Sequence, residues 1–278
     1  MIRIFVDSAS DYTLEDLKNQ NLELFPISIT IGDETYQDGV NLWRDDLYRL
    51  LSSGCPHPTT SQPSPQLFLD AFEAACQAGD ELIYITLSSS LSGTYQSACM
   101  ARDMVEYDKI YVIDSLSATY TIKLMADHAA SLREQGHSAA EIVAEVEALK
   151  SRTKVIAVPD TLEFLYKGGR VSRTGAAVGT LANIKPIITV TPEGKIGVPG
   201  KCIGMGKAQA YVMKHLQEHP VDTSFPLYSI YSYGTENCEK MEARLAAAQI
   251  SVTERLQIGP TIGTHIGPNA LGVVYVEK

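Results

Sequence analysis

The stretch that most constrains this chain is Glu81 to Ala98, ELIYITLSSSLSGTYQSA. It places an apolar strand, a hydroxyl-rich turn and a helix start in one run. Leu82, Ile83, Tyr84, Ile85 and Leu87 form the near-continuous apolar run of a strand buried on both faces. Ser88, Ser89, Ser90, Ser92, Thr94 and Ser97 follow within ten positions, with Gly93 among them. Gly93 gives the backbone room for close approach, and Ser90 or Ser92 is the natural N-cap of a helix running through Tyr95, Ala98 and Ala101. A helix start at the carboxyl end of a parallel strand is an anion-binding position, because free N–H groups and the helix dipole point there. The same residues also suit a turn that does no more than cap its helix.

The unit recurs. Ile2 to Val6 reads as a strand ending in Asp7-Ser8-Ala9-Ser10-Asp11, and Thr13 with Asp16 forms a capping box for the next helix. Ile27, Ile29 and Ile31 alternate as a half-buried strand, with Gly32-Asp33 as the turn into Glu34 to Gln37. A helix is expected from about Leu42 to Ser53, with Asp45 and Asp46 beside Arg44 as its solvated start. Cys55 to Pro65 carries too many prolines to be regular, and Ser64-Pro65 opens the helix that Gly79 closes. Lys109 to Asp114 is a strand, Ala118 to Gly136 a long helix, and Ser138 with Glu141 caps another through Lys150. Alternating strands and helices define an α/β region over residues 1–152, a mainly parallel, Rossmann-like sheet flanked by helices.

Residues 153–278 read as an α+β region with a mixed sheet. Six strands are expected: Lys154–Val158, Pro186–Val190, Ile196–Lys201, Leu227–Tyr231, Val252–Ile258 and Leu271–Val276. Pro192-Glu193-Gly194-Lys195 is a hairpin turn, so part of this sheet is antiparallel. Helices fill the gaps at Thr161–Tyr166, Gly175–Asn183, Lys207–Glu218 and Glu236–Ala247. Ala176, Ala177, Gly179 and Ala182 on the second of these leave room either for an acyl chain or for close helix packing. Tyr228, Tyr231 and Tyr233 mark a strand rather than a base-stacking platform.

Charge and cysteine usage narrow the function. With 33 acidic and 23 basic residues the formal net charge is -10, which disfavours nucleic acid or an anionic membrane as the main partner. No apolar run approaches the ~18 residues of a membrane-spanning helix, and no secretory leader opens the chain, so a cytoplasmic location without stable membrane insertion is expected. Cys55, Cys76, Cys99, Cys202 and Cys238 are scattered, as thiols in a reducing compartment are.

Two further stretches carry unusual chemistry. In Asp160 to Arg173, Gly168-Gly169 breaks a helix and sends Lys167, Arg170 and Arg173 out from one bend. In Gly259 to Gly272, four glycines and two prolines hold His265 in what reads as an irregular loop. His215-Leu216-Gln217-Glu218-His219 matches the H-x-x-E-H zinc pattern but sits just before Pro220, where histidines are ordinary helix-end residues; no metal or cofactor is expected. A serine hydrolase using Ser92, His265 and Asp7 or Asp114 lacks the glycines of the G-x-S-x-G elbow at positions 90 and 94, and a P-loop is absent. A binding protein for a small phosphometabolite stays open, since a helix start with Ser, Arg and His suits phosphate as well as carboxylate.

Taken together, Thr60-Ser61-Gln62-Pro63-Ser64, Ser88 to Ala98, Lys167-Gly168-Gly169-Arg170 and Gly263-Thr264-His265-Ile266-Gly267-Pro268, in that order and spacing, resemble the DegV family over the whole chain. Asp7 to Asp11 fits that family's opening, and Asp38-Gly39 follows its hairpin. The resemblance implies a bacterial carrier of the FakB type, itself no enzyme, holding a long-chain fatty acid and its acyl phosphate between two domains for the fatty acid kinase FakA, ahead of phospholipid synthesis. By that resemblance Thr60, Ser61, Ser92, Gly93, Arg170 and His265 surround the carboxylate, and Lys167, Arg173 and Lys201 are candidates for docking an acidic kinase surface. Asn269 stands where the family usually has glycine; Asn tolerates a left-handed φ, so the loop should keep its shape.

Overall fold

The computed structural model of the chain describes residues 1–172 and 183–278. Arg173, the small residues Ala176, Ala177, Gly179 and Ala182, and all but the last residue of the helix expected over 175–183 lie outside the described residues.

Strands β1 (Ile2–Asp7), β2 (Leu22–Phe25), β6 (Glu81–Thr86) and β7 (Ile110–Asp114) form an all-parallel sheet in the order β2-β1-β6-β7. Side chains alternate along β6, so Leu82 and Tyr84 enter one apolar layer while Ile83 and Ile85 enter another. The first layer packs Phe5, Phe25 and Tyr84 against Phe68 and Phe72 of α3 (Pro65–Ala78) and Ala98 and Ala101 of α4 (Thr94–Val105). The second packs Ile4 and Val6 against α5 (Tyr120–Glu134) and α6 (Ala139–Lys150). Both faces are therefore covered, which is why β6 reads as unbroken hydrophobicity.

The expected capping boxes are present. Thr13 Oγ1 accepts the Asp16 N–H at 3.0 Å ahead of α1 (Leu14–Asn19), and Ser138 with Glu141 does the same for α6. Ser64 caps α3 with Pro65 in its first turn. The strand β2 was not legible, because Leu22-Glu23-Leu24-Phe25 is too short to establish a period.

A three-stranded antiparallel sheet, β4 (Glu34–Gln37), β3 (Ser28–Ile31) and β5 (Thr59–Ser61), sits beside α2 (Arg44–Ser52). Strand β5 corrects the expectation that Cys55 to Pro65 is irregular. Its prolines, Pro58 and Pro63, flank the pairing residues rather than interrupt them, and β-branched Thr59 and Thr60 pair with Thr30 and Ile29 on the free edge of β3. Asp45 and Asp46 stand in the first turn of α2, Asp45 exposed, as expected, while Arg44 beside them turns inward: Nε donates to Gln257 O at 2.9 Å and Nη2 to Asp11 O at 2.5 Å.

The second sheet is mixed, in the order β10 (Ile196–Ile203), β9 (Ile184–Val190), β8 (Thr153–Val158), β13 (Leu271–Val276), β11 (Tyr228–Tyr231), β12 (Glu254–Gln257); only the β11–β12 pair is parallel. One face buries Ile156, Val158, Leu271 and Val273 against α8 (Met205–Glu218) and α9 (Glu236–Ala247). The other joins the same apolar layer as α5, through Val155, Ala157, Ile188 and Val274. Helix α5 thus lies between the two sheets, and the chain's halves share one core.

The hairpin turn between β9 and β10 is pinned to the serine-rich turn after β6. Ser88 Oγ donates to Gly194 O at 2.8 Å, and Ser90 Oγ donates to Glu193 O at 2.6 Å. Gly194 has φ +75°, and a methyl group there would lie 2.1 Å from Ser88 Oγ, so only glycine fits.

Candidate functional site

Ile27 ahead of β3, the β5 segment, the carboxyl end of β6, the start of α5, the inner face of the second sheet and the helix over Pro260–Ile266 enclose a cavity of about 390 Å³. Fourteen of its 24 lining residues are aliphatic, among them Leu87, Val155, Ala157, Ile188, Ile230 and Ile258. Several polar groups meet around the β5 segment: Thr60 bonds His265, Gln62 lies against Gly93, and Ser61, Ser92 and Arg170 also line the cavity. A mainly aliphatic chamber with a cluster of hydroxyl, guanidinium and imidazole groups suits an amphiphile with a compact head.

His265 stands on α10 (Pro260–Ile266), a regular helix that replaces the expected irregular loop. Its glycines have two different uses. Gly263 allows close packing on α2, since a methyl group there would meet Tyr48 Oη at 2.6 Å and Leu47 Cδ2 at 2.9 Å, while Gly267, at φ +75°, ends the helix. Asn269 adopts φ +62°, the left-handed conformation its side chain tolerates. The His265 Nε2 and Thr60 Oγ1 atoms are hydrogen-bonded at 2.9 Å. Burial, then the charge of Arg170 and the neighbouring His57, push the His265 pKa down to about 3, so the imidazole is neutral at physiological pH.

The start of α4 is not capped as expected. Its N-cap is Gly93, with no side-chain hydrogen bond, and Ser92 Oγ instead bonds Thr94 Oγ1 at 2.8 Å and accepts the Thr94 N–H at 3.3 Å. Gly93 has an ordinary φ of −74°, and what needs its bare Cα is Gln62, whose Oε1 lies 2.2 Å from where a methyl group would stand. Gln62 Nε2 donates to Ser97 Oγ at 2.5 Å. The sequence does not single out Gln62, nor Thr119, Thr189 and Thr261, the further polar lining residues. Single hydroxyls and amides carry no spacing signal of their own.

The cations expected to leave one bend diverge. Arg170 turns inward, its Nε donating to Leu91 O at 3.0 Å and its Nη1 to Gly168 O at 2.5 Å, and burial lowers its pKa. Lys167 pairs with Glu163 at 2.6 Å on the surface of α7 (Glu163–Lys167). Lys201 is exposed on β10.

No serine-hydrolase triad forms among the described residues. Ser92 bonds Thr94 rather than His265, Asp7 accepts from Leu87 N at 2.7 Å, and Asp114 accepts from Ser89 N at 3.1 Å. The H-x-x-E-H residues serve packing: His215 Nε2 and Tyr275 Oη lie 3.2 Å apart, and His219 Nδ1 and Glu277 Oε1 2.7 Å apart. Tyr228 and Tyr231 are strand residues of β11, and Tyr233 stacks on Tyr48.

The helix bearing His265 is held from below by buried carboxylates. Asp38 Oδ2 accepts the Thr261 N–H at 2.9 Å and Asp11 Oδ1 accepts the Gly259 N–H at 3.0 Å, serving donors at the start of α10 that the helix itself leaves unpaired. Tyr48 Oη donates to Ile258 O at 2.9 Å.

The family model of DegV, described as an uncharacterised protein of the DegV family, matches residues 1–278. The DegV domain-containing protein TTE1491 of Caldanaerobacter subterraneus subsp. tengcongensis is 37% identical over 280 residues, covering 100% of this chain and 99% of its own. The chain belongs to the DegV family. A Thermus thermophilus DegV family structure described for fatty acid binding superposes with a TM-score of 0.88 at 28% identity, covering 100% of this chain and 99% of that one. A stearic acid-binding protein from Eubacterium ventriosum gives 0.85 at 26% identity, with 100% and 99% covered.

Proposed function

We propose that this protein is a fatty-acid carrier that holds a long-chain acid in the cavity and presents the carboxyl group to a separate kinase for acyl-phosphate formation. The observation that carries the reading is the cavity itself, lined mostly by aliphatic residues, with Thr60, Ser92, Arg170 and His265 in the same lining. Relatives of the same fold are described as fatty-acid-binding. A small phosphometabolite would leave most of the aliphatic lining without a partner, so the lipid reading is favoured.

The energetics divide the work. Burial contributes about 0.8 kcal/mol per methylene, so ~14 methylenes give roughly 11 kcal/mol gross, against about 1.5–3 kcal/mol for each charge-assisted hydrogen bond. The tail supplies affinity. The head-group residues replace the water a buried carboxylate loses and fix its register, which is what in-line phosphoryl transfer needs. Thr60, Ser61, Ser92, Gly93, Arg170 and His265 are assigned to that task. Lys167, Lys201 and Arg173 are assigned to contact with FakA or a kinase like it.

Mass spectrometry of the purified protein, native and after solvent extraction, tests the reading. A stoichiometric fatty acid released only on denaturation supports it. A lipid-free protein that binds neither oleate nor palmitate would refute it and favour the phosphometabolite.

A further inference from the structure

His265 engages Thr60 through Nε2, and its other ring nitrogen, Nδ1, is buried without a hydrogen-bond partner among the described residues. The bare face of Gly168 fills the space beside it. A methyl group added at Gly168 would stand 2.2 Å from Nδ1 and 2.8 Å from Cε1. The polar groups of Gly168 are spent elsewhere, its N–H on Phe164 O at 2.9 Å and its carbonyl on Arg170 Nη1 at 2.5 Å. Arg170 and His57 are the charged and titratable groups acting on the ring, and both disfavour a second proton.

A neutral imidazole carries one N–H and one lone pair. An N–H facing the Gly168 methylene would be a buried donor with no acceptor, costing its full desolvation, whereas a lone pair facing C–H is the cheaper arrangement. We infer that Gly168 is a positioning residue that fixes His265 as the Nε2–H tautomer, so that His265 donates to Thr60 and the Thr60 hydroxyl must give its own proton to the ligand head group. The Thr60 hydroxyl has no other hydrogen-bond partner among the described residues. A hydroxyl has a single hydrogen, and the bond from His265 occupies one of its lone pairs. The subsite therefore offers a donor and selects an acceptor, a carboxylate or acyl-phosphate oxygen. The identity of that acceptor rests on the carrier reading; the tautomer does not.

The two glycines of the turn are thereby separated. Gly169 has φ +75° with nothing within 4 Å of an added methyl group, so it serves the backbone. Gly168 has φ −73° and ψ −5°, which any residue adopts, so its lack of a side chain serves His265.

The test is nitrogen-15 NMR of the full-length protein labelled at histidine, with the His265 signals assigned by their loss in His265→Gln. The expected pattern is a protonated Nε2 and an unprotonated Nδ1, unchanged from pH 5.5 to 8. An Nδ1–H tautomer, or an imidazolium appearing in that range, overturns the inference. In a second arm, Gly168→Ala weakens palmitate binding about tenfold, the loss of one charge-assisted hydrogen bond, while Gly206→Ala in α8, where an added methyl group meets nothing within 4 Å, leaves it within about twofold. Wild-type affinity in Gly168→Ala also overturns it. Because the tautomer is read without lipid, a protein that binds no fatty acid refutes the carrier reading and leaves this result standing.

Discussion

Asp11 and Gly259 are 248 positions apart, and the Asp11 carboxylate accepts the Gly259 N–H at 3.0 Å inside the protein. With Asp38 on Thr261, this contact sets the start of the helix that carries His265. Asp11 also accepts from Thr119 Oγ1 at 2.5 Å, at the head of α5. Asp11→Ala strands both donors, and a loss of about 3 kcal/mol in urea unfolding is expected. Asp11→Asn keeps an acceptor oxygen and should lose clearly less; equal losses would show that the carboxylate only fills space.

Burial raises the pKa of Asp7 to about 7, against its bonds from Leu87, Tyr84 and Ala9, and that of Asp11 to about 8. Both lie above the unfolded value of 3.8, so folding takes up protons. Their contribution is fully present below pH 3.8 and is lost as pH rises through 7 to 8. His265 acts in the opposite sense below and around its unfolded value of 6.5, where only the unfolded ring takes up a proton, and that slope fades as pH rises past about 7. Stability should therefore fall between pH 7 and 8.5 by about 1 kcal/mol per pH unit, mostly through Asp11, since Asp7 is already half ionised at about pH 7, and Asp11→Asn should flatten the slope more than Asp7→Asn. Denaturant midpoints that are level across this range would contradict it.

Gly263→Ala and Gly206→Ala place the same methyl group on two helices with opposite results. At Gly263 it meets Tyr48 and Leu47, so about 1–3 kcal/mol of stability is lost despite the better helix propensity of Ala. At Gly206 in α8 nothing lies within 4 Å, and a gain of roughly 0.5–1 kcal/mol is expected. Thermal unfolding of the two variants decides between packing and propensity at each site.

Ala157 lines the cavity on β8, opposite Gly272 and Ile188. Ala157→Leu takes volume from the chamber, and each methylene of ligand it excludes removes about 0.8 kcal/mol. Affinity for stearate should fall more than affinity for laurate, as read by calorimetry. A uniform loss across chain lengths would place the tail elsewhere.

On the proposed carrier function, in which the tail would dominate affinity and the Ser92 hydroxyl would help fix the head, Ser92→Ala is expected to lose far more acyl-phosphate formation than lipid binding. Paired measurements of palmitate Kd and kinase-dependent phosphorylation test it, and equal losses would refute it.

Local chemistry made much of the fold legible. The Thr13–Asp16 and Ser138–Glu141 boxes, the Ser64-Pro65 helix entry, and the unbroken apolar run of β6 each encode their element within a few residues. Elements whose sequence signal is overridden by a distant partner were not legible. Strand β5 exists because β3 offers an edge, and the glycine-rich stretch around His265 is a helix because Asp11, Asp38, Leu47 and Tyr48 receive it.

The sequence by itself determined the two kinds of sheet, the helix boundaries set by caps, and the set of hydroxyl, imidazole and guanidinium groups available for a head group. Only the tertiary structure decided that Thr60 and His265, 205 positions apart, would share a hydrogen bond, that Arg170 would turn inward while Lys167 stayed on the surface, and that Gly168 would face an imidazole nitrogen. Caps and strand periods are written in neighbouring residues. Which buried polar atoms meet is set by packing between distant segments, where leaving a donor unpaired costs more than any local preference supplies.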